Sequence, residues 1–183
     1  MELHEATPEE VRLVYERDLV EAFPYEELRT LPEIEELIRQ GKYKFLCLYD
    51  GPEIVASVAF YQEKPGWILW DYLYVVPSRR HSWLGLYLVR DMTKRYHDSV
   101  IIADVESPEY APDPSFARKR IALFRRTGAF VTGFEVELWG VRYKVIYWAD
   151  RKHPDNEIMR EYDHICRTMF TSEEHERYIR IPF

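Results

Sequence analysis

Apolar residues recur at helical spacing near the start of the chain, behind the segment TPEE at residues 7–10. That segment combines a capping box with proline at the first helical position, so it predicts a helix start. The apolar positions of this helix are Val11, Val14, Tyr15, Leu19 and Phe23. A shorter pattern from about Pro32 to Gly41 predicts a second helix.

The pattern then changes to runs rich in Val, Phe and Leu, which are typical of strands. These runs cover residues 44–49, 53–62 and 67–76. Asp50-Gly51 is a strong hairpin signal between the first two runs, and the segment KPG at 64–66 marks the next turn. We therefore expect three antiparallel strands in succession.

The second half of the chain predicts one parallel crossover and a closing hairpin. An amphipathic helix at residues 84–96 leads to the strand VIIADV at 100–105, whose continuous apolar run is expected of a covered parallel strand. The elements that follow are a loop at 106–115, a basic helix at 116–126, and strands at 130–138 and 141–149. Together the elements predict an α/β fold with a mixed, mostly antiparallel sheet and helices on both faces.

The end of the chain is helical. Residues 150–183 open with the polar segment DRKHPDN and then show two helical patterns. We assign residues 1–149 to one domain and 150–183 to a helical extension that packs on the same domain or on a partner. The apolar stripe of the extension could cap its own sheet or contact a second copy in a homodimer. Its members are Ile158, Tyr162, Ile165, Met169 and Phe170.

Composition narrows the classes of function. The 183 residues suffice for one domain, and the 46% of apolar residues excludes disorder. No apolar run approaches the roughly 20 residues that span a bilayer, and the acidic start is unlike a signal peptide, so we expect a cytoplasmic protein that binds no membrane. The net charge of −7 argues against nucleic-acid binding and suits amine partners. Two isolated cysteines predict no metal site.

One stretch, YVVPSRRHSWLGLYLVRDM at residues 74–92, joins a strand to a helix. A helix start offers unpaired backbone N–H groups and the positive end of the helix dipole, which together suit a phosphate. Arg79, Arg80 and Gly85 are compatible with such a site. The alternative is a plain crossover whose arginines are solvated, and this stretch alone does not decide between the two.

The order of elements, together with LYVVPSRRHSWLG at residues 73–85, resembles the GCN5-related N-acetyltransferase (GNAT) family and looks closest to a bacterial group of it. In that family a strand ending in V-x-P is followed by Arg/Gln-x-x-Gly-x-Gly/Ala, whose amides hold the pyrophosphate of acetyl-CoA. Here Pro77, Arg80 and Gly85 match. The resemblance implies acetyl-CoA as cosubstrate and a GNAT-like sheet with a V-shaped splay. It assigns the cofactor contacts to Leu73, Tyr74, Val75, Arg80, His81, Ser82, Trp83, Leu84 and Gly85.

Three positions depart from the family pattern. Trp83 stands where glycine is usual, and His81 stands where another glycine is common. With tryptophan there, either the loop keeps ordinary helical dihedrals and the indole turns outward, or the phosphate site is reshaped. Phe124 replaces a tyrosine that often protonates the departing CoA thiolate. Tyr143 is a substitute candidate for that acid, and a half-buried packing role is its alternative.

Asp71 interrupts the apolar strand WILWDYLYVV, where an aspartate is unfavourable on propensity alone. The resemblance places this strand beside the acceptor amine, so Asp71 is our first candidate for removing the amine's proton and Glu106 is the second. The alternative for Asp71 is a structural, hydrogen-bonded or surface-facing carboxylate. Asp104 and Glu106 share a face at the end of the next strand, with a solvated strand end as their alternative.

These residues and the resemblance predict an N-acetyltransferase that moves an acetyl group from acetyl-CoA directly to a small-molecule or peptide primary amine. Neither cysteine lies beside a plausible base, so we expect no covalent enzyme intermediate. A non-catalytic acyl-CoA-binding or regulatory module is the alternative, because Trp83 and Phe124 both depart from the enzyme pattern.

Overall fold

The computed structural model describes residues 1–25, 27–80 and 83–183 of the chain. The strands in this part of the chain are β1 (Glu2–Glu5), β2 (Tyr43–Asp50), β3 (Glu53–Tyr61), β4 (Trp67–Val75), β5 (Val100–Glu106), β6 (Phe130–Leu138), β7 (Val141–Trp148) and β8 (Ile179–Arg180). The helices are α1 (Pro8–Val14), α2 (Val20–Ala22), α3 (Leu31–Arg39), α4 (Leu84–Arg95), α5 (Pro114–Arg126), α6 (Asp155–Met169) and α7 (Ser172–Tyr178). A π-helical turn at Tyr15–Leu19 joins α1 to α2.

The strands form a mixed sheet in the order β1-β2-β3-β4-β5-β7-β6-β8. β4 and β5 pair in parallel through Trp67↔Val100, Ile68↔Ile101 and Leu69↔Ile102, whereas β2–β3, β5–β7 and β6–β7 pair antiparallel. The predicted α/β class with a mostly antiparallel sheet is therefore confirmed.

Two compact units make up the chain. The first comprises Met1–Glu63 and Trp70–Leu88, and the second comprises Lys64–Leu69 and Val89–Phe183. In the first unit, α1 begins at the predicted capping box, where the Thr7 backbone N–H donates to Glu10 Oε2 at 2.7 Å. A second capping box, Thr30 with Glu33, starts α3.

In the second unit, α5 and α6 cover opposite faces of the strands. Phe124 of α5 packs edge to face on Trp148 of β7, with 5.5 Å between ring centroids. Tyr162 of α6 reaches Asp104 of β5. Trp148 lies opposite Ile101 in the β5–β7 register, and Asp104 is an odd number of positions further along β5, so the two contacts lie on different faces.

The sequence patterns did not predict two short strands. β1 has the sequence ELHE and pairs with β2, and the two residues of β8 pair with Glu137 and Leu138 of β6. Segments this short cannot show a strand alternation, so pairing rather than pattern defines them. Among the described residues, no helix is long and apolar enough to cross a membrane.

Candidate functional site

The corner after β4 separates the two arginines that the sequence placed together. Arg79 Nη2 donates to Asp50 Oδ2 at 2.7 Å, forming an ion pair at the end of β2. Arg80 Nε donates to the Val75 carbonyl oxygen at 3.2 Å, and its guanidinium lies 5.7 Å from the centroid of the Tyr74 ring. Arg80 is therefore the arginine held at the end of β4.

The other predicted cofactor contacts divide into three groups, and the third, at the start of α4, comprises Trp83, Leu84 and Gly85. On β4, Leu73 and Val75 are half-buried and Tyr74 is buried. His81 and Ser82 lie outside the described residues.

Trp83 turns outward at the start of α4. Its side chain is one of the large exposed aromatics, with 55% of its surface accessible, and it packs edge to face with Tyr87 at 5.6 Å. The Trp83 carbonyl accepts a hydrogen bond from the Tyr87 N–H at 2.9 Å, which starts the helix. Among described residues other than glycine, a positive φ occurs at Trp139 alone. The loop thus keeps ordinary dihedrals at Trp83, the first of the two alternatives.

Gly85 occupies the first turn of α4, next to the buried Leu84. It does not have a positive φ, and a Cβ atom at this position would meet no other described residue within 4 Å. A helical glycine costs about 1 kcal/mol relative to alanine. Neither the backbone nor the packing of the described residues requires that cost, which is compatible with close approach of a ligand to the backbone of this turn.

Asp71 is engaged by two donors from the same unit. Its Oδ2 accepts a hydrogen bond from Arg29 Nε at 2.9 Å and another from the Tyr43 hydroxyl at 2.7 Å. The Asp71 side chain is 17% exposed and that of Arg29 is 10% exposed, so this ion pair is largely buried. Burial raises the pKa of Tyr43 well above its usual value, and the charge of Asp71 raises it further, so the hydroxyl stays a donor.

The same strand holds the loop before α3 at a second point. Tyr72 Oη accepts a hydrogen bond from the Arg29 backbone N–H at 2.9 Å and donates to the Glu27 carbonyl at 3.0 Å. With the Arg29–Asp71 ion pair, these bonds fix residues 27–29 against β4. The unfavourable mid-strand aspartate is therefore compensated by a tertiary contact.

The second unit carries the other candidate carboxylates. Asp104 and Glu106 are half-exposed at the end of β5, and Tyr162 Oη donates to Asp104 Oδ2 at 2.8 Å. Glu106 lies opposite Tyr143 of β7. The side chain of Tyr143 is buried, with 9% of its surface accessible. In the part of the chain that the structure describes, no side chain forms a hydrogen bond or ion pair with the Glu106 carboxylate.

Sequence reasoning missed the partners of these carboxylates. Arg29 lies in a segment without periodicity, and Tyr43 was placed just before the first long strand. Tyr162 was recognised only as part of an apolar stripe, since nothing in a sequence tells where a buried hydroxyl finds its partner.

Phe124 fills a packing position. It is 6% exposed and lies against Trp148, so it contributes apolar area to the second unit and offers no proton. Within the described ranges, no three His, Cys, Asp or Glu side chains are grouped so as to hold a metal ion.

No protein-family model and no curated protein matches this sequence. Solved structures do match. A protein from Bacteroides thetaiotaomicron assigned to the GNAT family of acetyltransferases has a TM-score of 0.75 and 18% identity, over 92% of this chain and 98% of that one. Spermidine N-acetyltransferase from Vibrio cholerae, in complex with CoA and spermine, has a TM-score of 0.61 and 12% identity, over 80% of this chain and 94% of that one.

Ribosomal-protein-alanine N-acetyltransferase from Brucella melitensis has a TM-score of 0.60 and 19% identity, over 81% of this chain and 99% of that one. At such identities the likeness concerns the course of the backbone and not the identity of the site residues. The agreement extends over at least four-fifths of the chain in each case. This chain has the fold of the GNAT acetyltransferases.

Proposed function

We propose that this chain is an N-acetyltransferase that moves the acetyl group of acetyl-CoA to a primary amine by direct transfer. The observation that carries the proposal is the corner after β4, where Arg80 is held at the strand end and α4 begins with a glycine in its first turn. The same fold in spermidine N-acetyltransferase from V. cholerae has been solved with CoA and spermine.

In this proposal acetyl-CoA is bound mainly by the main chain. Backbone N–H groups of the segment 82–85 and the guanidinium of Arg80 take the pyrophosphate, because a helix start and a nearby cation both favour an anion. Amide groups of residues 73–75 on β4 serve the thioester carbonyl and stabilise the oxyanion that forms on attack.

The acceptor must lose a proton before its nitrogen can attack. The ammonium gives this proton to a carboxylate, the nitrogen lone pair forms the C–N bond, and the C–S bond breaks to release CoA thiolate. We assign proton removal to Glu106 ahead of Asp71, because Asp71 already accepts hydrogen bonds from Arg29 and Tyr43. Tyr143, opposite Glu106, is the proposed proton donor to the thiolate, with water as the substitute.

A matched pair of arginine variants tests the cofactor site. Arg80→Ala should weaken acetyl-CoA binding by about 1 to 3 kcal/mol, the usual cost of a lost charge-assisted hydrogen bond. Arg79→Ala removes the same charge from the neighbouring position, where the side chain pairs with Asp50, and should leave the affinity nearly unchanged. Isothermal titration calorimetry of both variants and the parent measures the difference.

Failure of the parent protein to bind acetyl-CoA would remove the enzyme proposal altogether. An equal loss in both arginine variants would show that positive charge anywhere near this corner, and not a specific contact of Arg80, attracts the nucleotide.

A second function stays open because of Phe124. A buried phenylalanine at the position where relatives often carry an acid is compatible with a module that binds acyl-CoA without transferring the acyl group. Such a module would bind acetyl-CoA with the same dependence on Arg80 and would release no CoA when amines are added.

A further inference from the structure

The two neighbouring arginines at the corner after β4 are held by different kinds of partner. Arg79 forms an ion pair with Asp50, so its charge is compensated within the protein. Arg80 Nε donates to the carbonyl of Val75, and its guanidinium lies 5.7 Å from the centroid of the Tyr74 ring. Within the described ranges of the chain, no carboxylate forms an ion pair with Arg80. Its charge is therefore held in place without being neutralised.

The ring that faces Arg80 belongs to the interior of the first unit. Tyr74 is 7% exposed, whereas Arg80 is exposed. Burial raises the pKa of Tyr74, the negative charge of Asp18 raises it further, and the charge of Arg80 opposes the rise. The hydroxyl therefore stays neutral at neutral pH. Tyr74 can thus orient a cation without adding a negative charge that would repel a phosphate.

The acids near this ring compete weakly for the guanidinium of Arg80. Arg17 Nε donates to Asp18 Oδ1 at 2.9 Å, and Arg17 Nη2 donates to Asp18 Oδ2 at 2.7 Å, so both oxygens of Asp18 are engaged. Glu21 of α2 is the other acid whose charge raises the pKa of Tyr74, and its side chain is exposed, where solvent screens it. The ring and the strand end remain the two supports of Arg80.

We infer that Tyr74 is a positioning residue for acetyl-CoA binding, which orients the guanidinium of Arg80 towards the pyrophosphate through the face of its ring. The inference rests on the proposed function. It changes the role that the family resemblance implies for Tyr74, from contact with the cofactor to support of the residue that contacts it. A planar guanidinium binds a phosphate best when two N–H groups meet two oxygens. Orientation before binding reduces the entropy that is lost when the ligand arrives.

The first test observes Arg80 in the ligand-free protein and needs no activity. NMR spin relaxation of the arginine Nε atoms gives an order parameter for each side chain. We expect a higher value for Arg80 than for Arg118, an exposed arginine of α5 to which the described part of the chain gives no ion pair. In Tyr74→Leu the value for Arg80 should fall towards that of Arg118. In Tyr74→Phe, which keeps the ring, it should stay near the parent value.

The second test is a double-mutant cycle on acetyl-CoA affinity, measured by isothermal titration calorimetry. Tyr74→Leu should weaken binding about two- to fivefold, the range that a contact between a cation and an aromatic ring supports at an exposed site. Tyr74→Phe should retain most of the affinity. In the background of Arg80→Ala, Tyr74→Leu should cause no further loss, because the ring then has no guanidinium to orient.

Tyr72→Leu is the matched control. Tyr72 is another buried tyrosine of β4, and its hydroxyl bonds to the backbone of Arg29 and Glu27 instead of facing Arg80. This variant loses a buried ring from the same strand, so it should lose stability and leave the order of Arg80 and the affinity for acetyl-CoA unchanged. If Tyr74→Leu does not fold, the relaxation data of the parent and of Tyr74→Phe still test the inference.

The outcomes separate the inference from the function on which it rests. The role of Tyr74 is overturned if Arg80 is no more ordered than Arg118 in the parent, or if Tyr74→Leu binds acetyl-CoA as the parent does. It is also overturned if Tyr74→Phe binds as weakly as Tyr74→Leu, if Tyr72→Leu causes an equal loss, or if the loss persists without Arg80. Each of these results leaves the acetyltransferase proposal standing. A parent protein that does not bind acetyl-CoA removes both.

Discussion

Aspartate and glutamate side chains take different roles in this sheet according to their neighbours. Asp71 is fixed by Arg29 and Tyr43 in a largely buried ion pair, while Glu106 at the end of β5 has no fixed cation among the described residues. A carboxylate that is already paired serves best as an anchor, because removing one partner of a buried pair leaves the other uncompensated. At the residue scale, contacts decide which carboxylate can accept a proton.

Gly85 gives a prediction in which stability and binding should move in opposite directions. Gly85→Ala should raise the free energy of unfolding by about 0.5 to 1 kcal/mol, because alanine is the better helix former and its Cβ would meet no other side chain or backbone among the described residues. The same methyl group would enter the space assigned to the pyrophosphate, so acetyl-CoA affinity should fall. Thermal unfolding and calorimetry on one preparation measure both, and unchanged affinity would exclude close approach of the ligand at this turn.

At the scale of elements, β4 and the C-terminal helix α6 each supply a hydrogen bond over a long sequence separation. The Arg29–Asp71 bond joins residues 42 positions apart, and the Tyr162–Asp104 bond joins residues 58 apart. The first ties the loop before α3 to β4, and the second ties the extension to β5. Elements that lie far apart in sequence thereby acquire fixed positions around the carboxylates of their own unit.

Helix α1 is joined to the sheet by a titratable contact. Glu10 accepts hydrogen bonds from the Tyr49 hydroxyl of β2 and from the Thr7 backbone N–H, and both lower its pKa from the usual value of 4.5. A carboxyl whose pKa is lowered by folding stabilises the protein above its unfolded pKa, and this stabilisation is lost as the pH falls through the folded pKa.

Glu10→Gln should therefore lower the free energy of unfolding by about 1 kcal/mol at pH 7 and by less at pH 3, which lies below the unfolded pKa of the parent carboxyl. Urea unfolding at the two pH values measures the difference, with Tyr49→Phe as a control that removes the chief cause of the shift. An equal loss of unfolding free energy at both pH values would mean that side-chain packing, and not the charge of the Glu10 carboxylate, stabilises the contact between α1 and β2.

At the scale of the whole molecule, local patterns predicted nearly every long element. The capping box at residues 7–10, the hairpin at Asp50-Gly51 and the crossover through α4 are short-range signals, and the structure contains all three. β1 and β8 were missed, because short edge strands exist through their pairing partners and carry no periodicity of their own.

The candidate site was less predictable than the fold. Sequence singled out Asp71 as unusual but could not show that Arg29 and Tyr43 compensate it, since both contacts depend on tertiary packing. The outward turn of Trp83 was one of two alternatives, and its backbone decided between them. The roles of Asp71, Glu106 and Tyr143 in proton transfer stay predictions.

Amine-dependent release of CoA thiol is the measurement that tests the central claim most directly. Acetyl-CoA is mixed with the protein and a panel of small and peptide amines, and free thiol is followed with a colorimetric reagent. The account predicts that at least one amine stimulates release, and that Glu106→Gln lowers this rate by about 10²-fold while acetyl-CoA still binds. Asp71→Asn should act mainly by lowering stability. Thiol release that no amine stimulates, in a protein that binds acetyl-CoA, would contradict the claim and leave a binding module in its place.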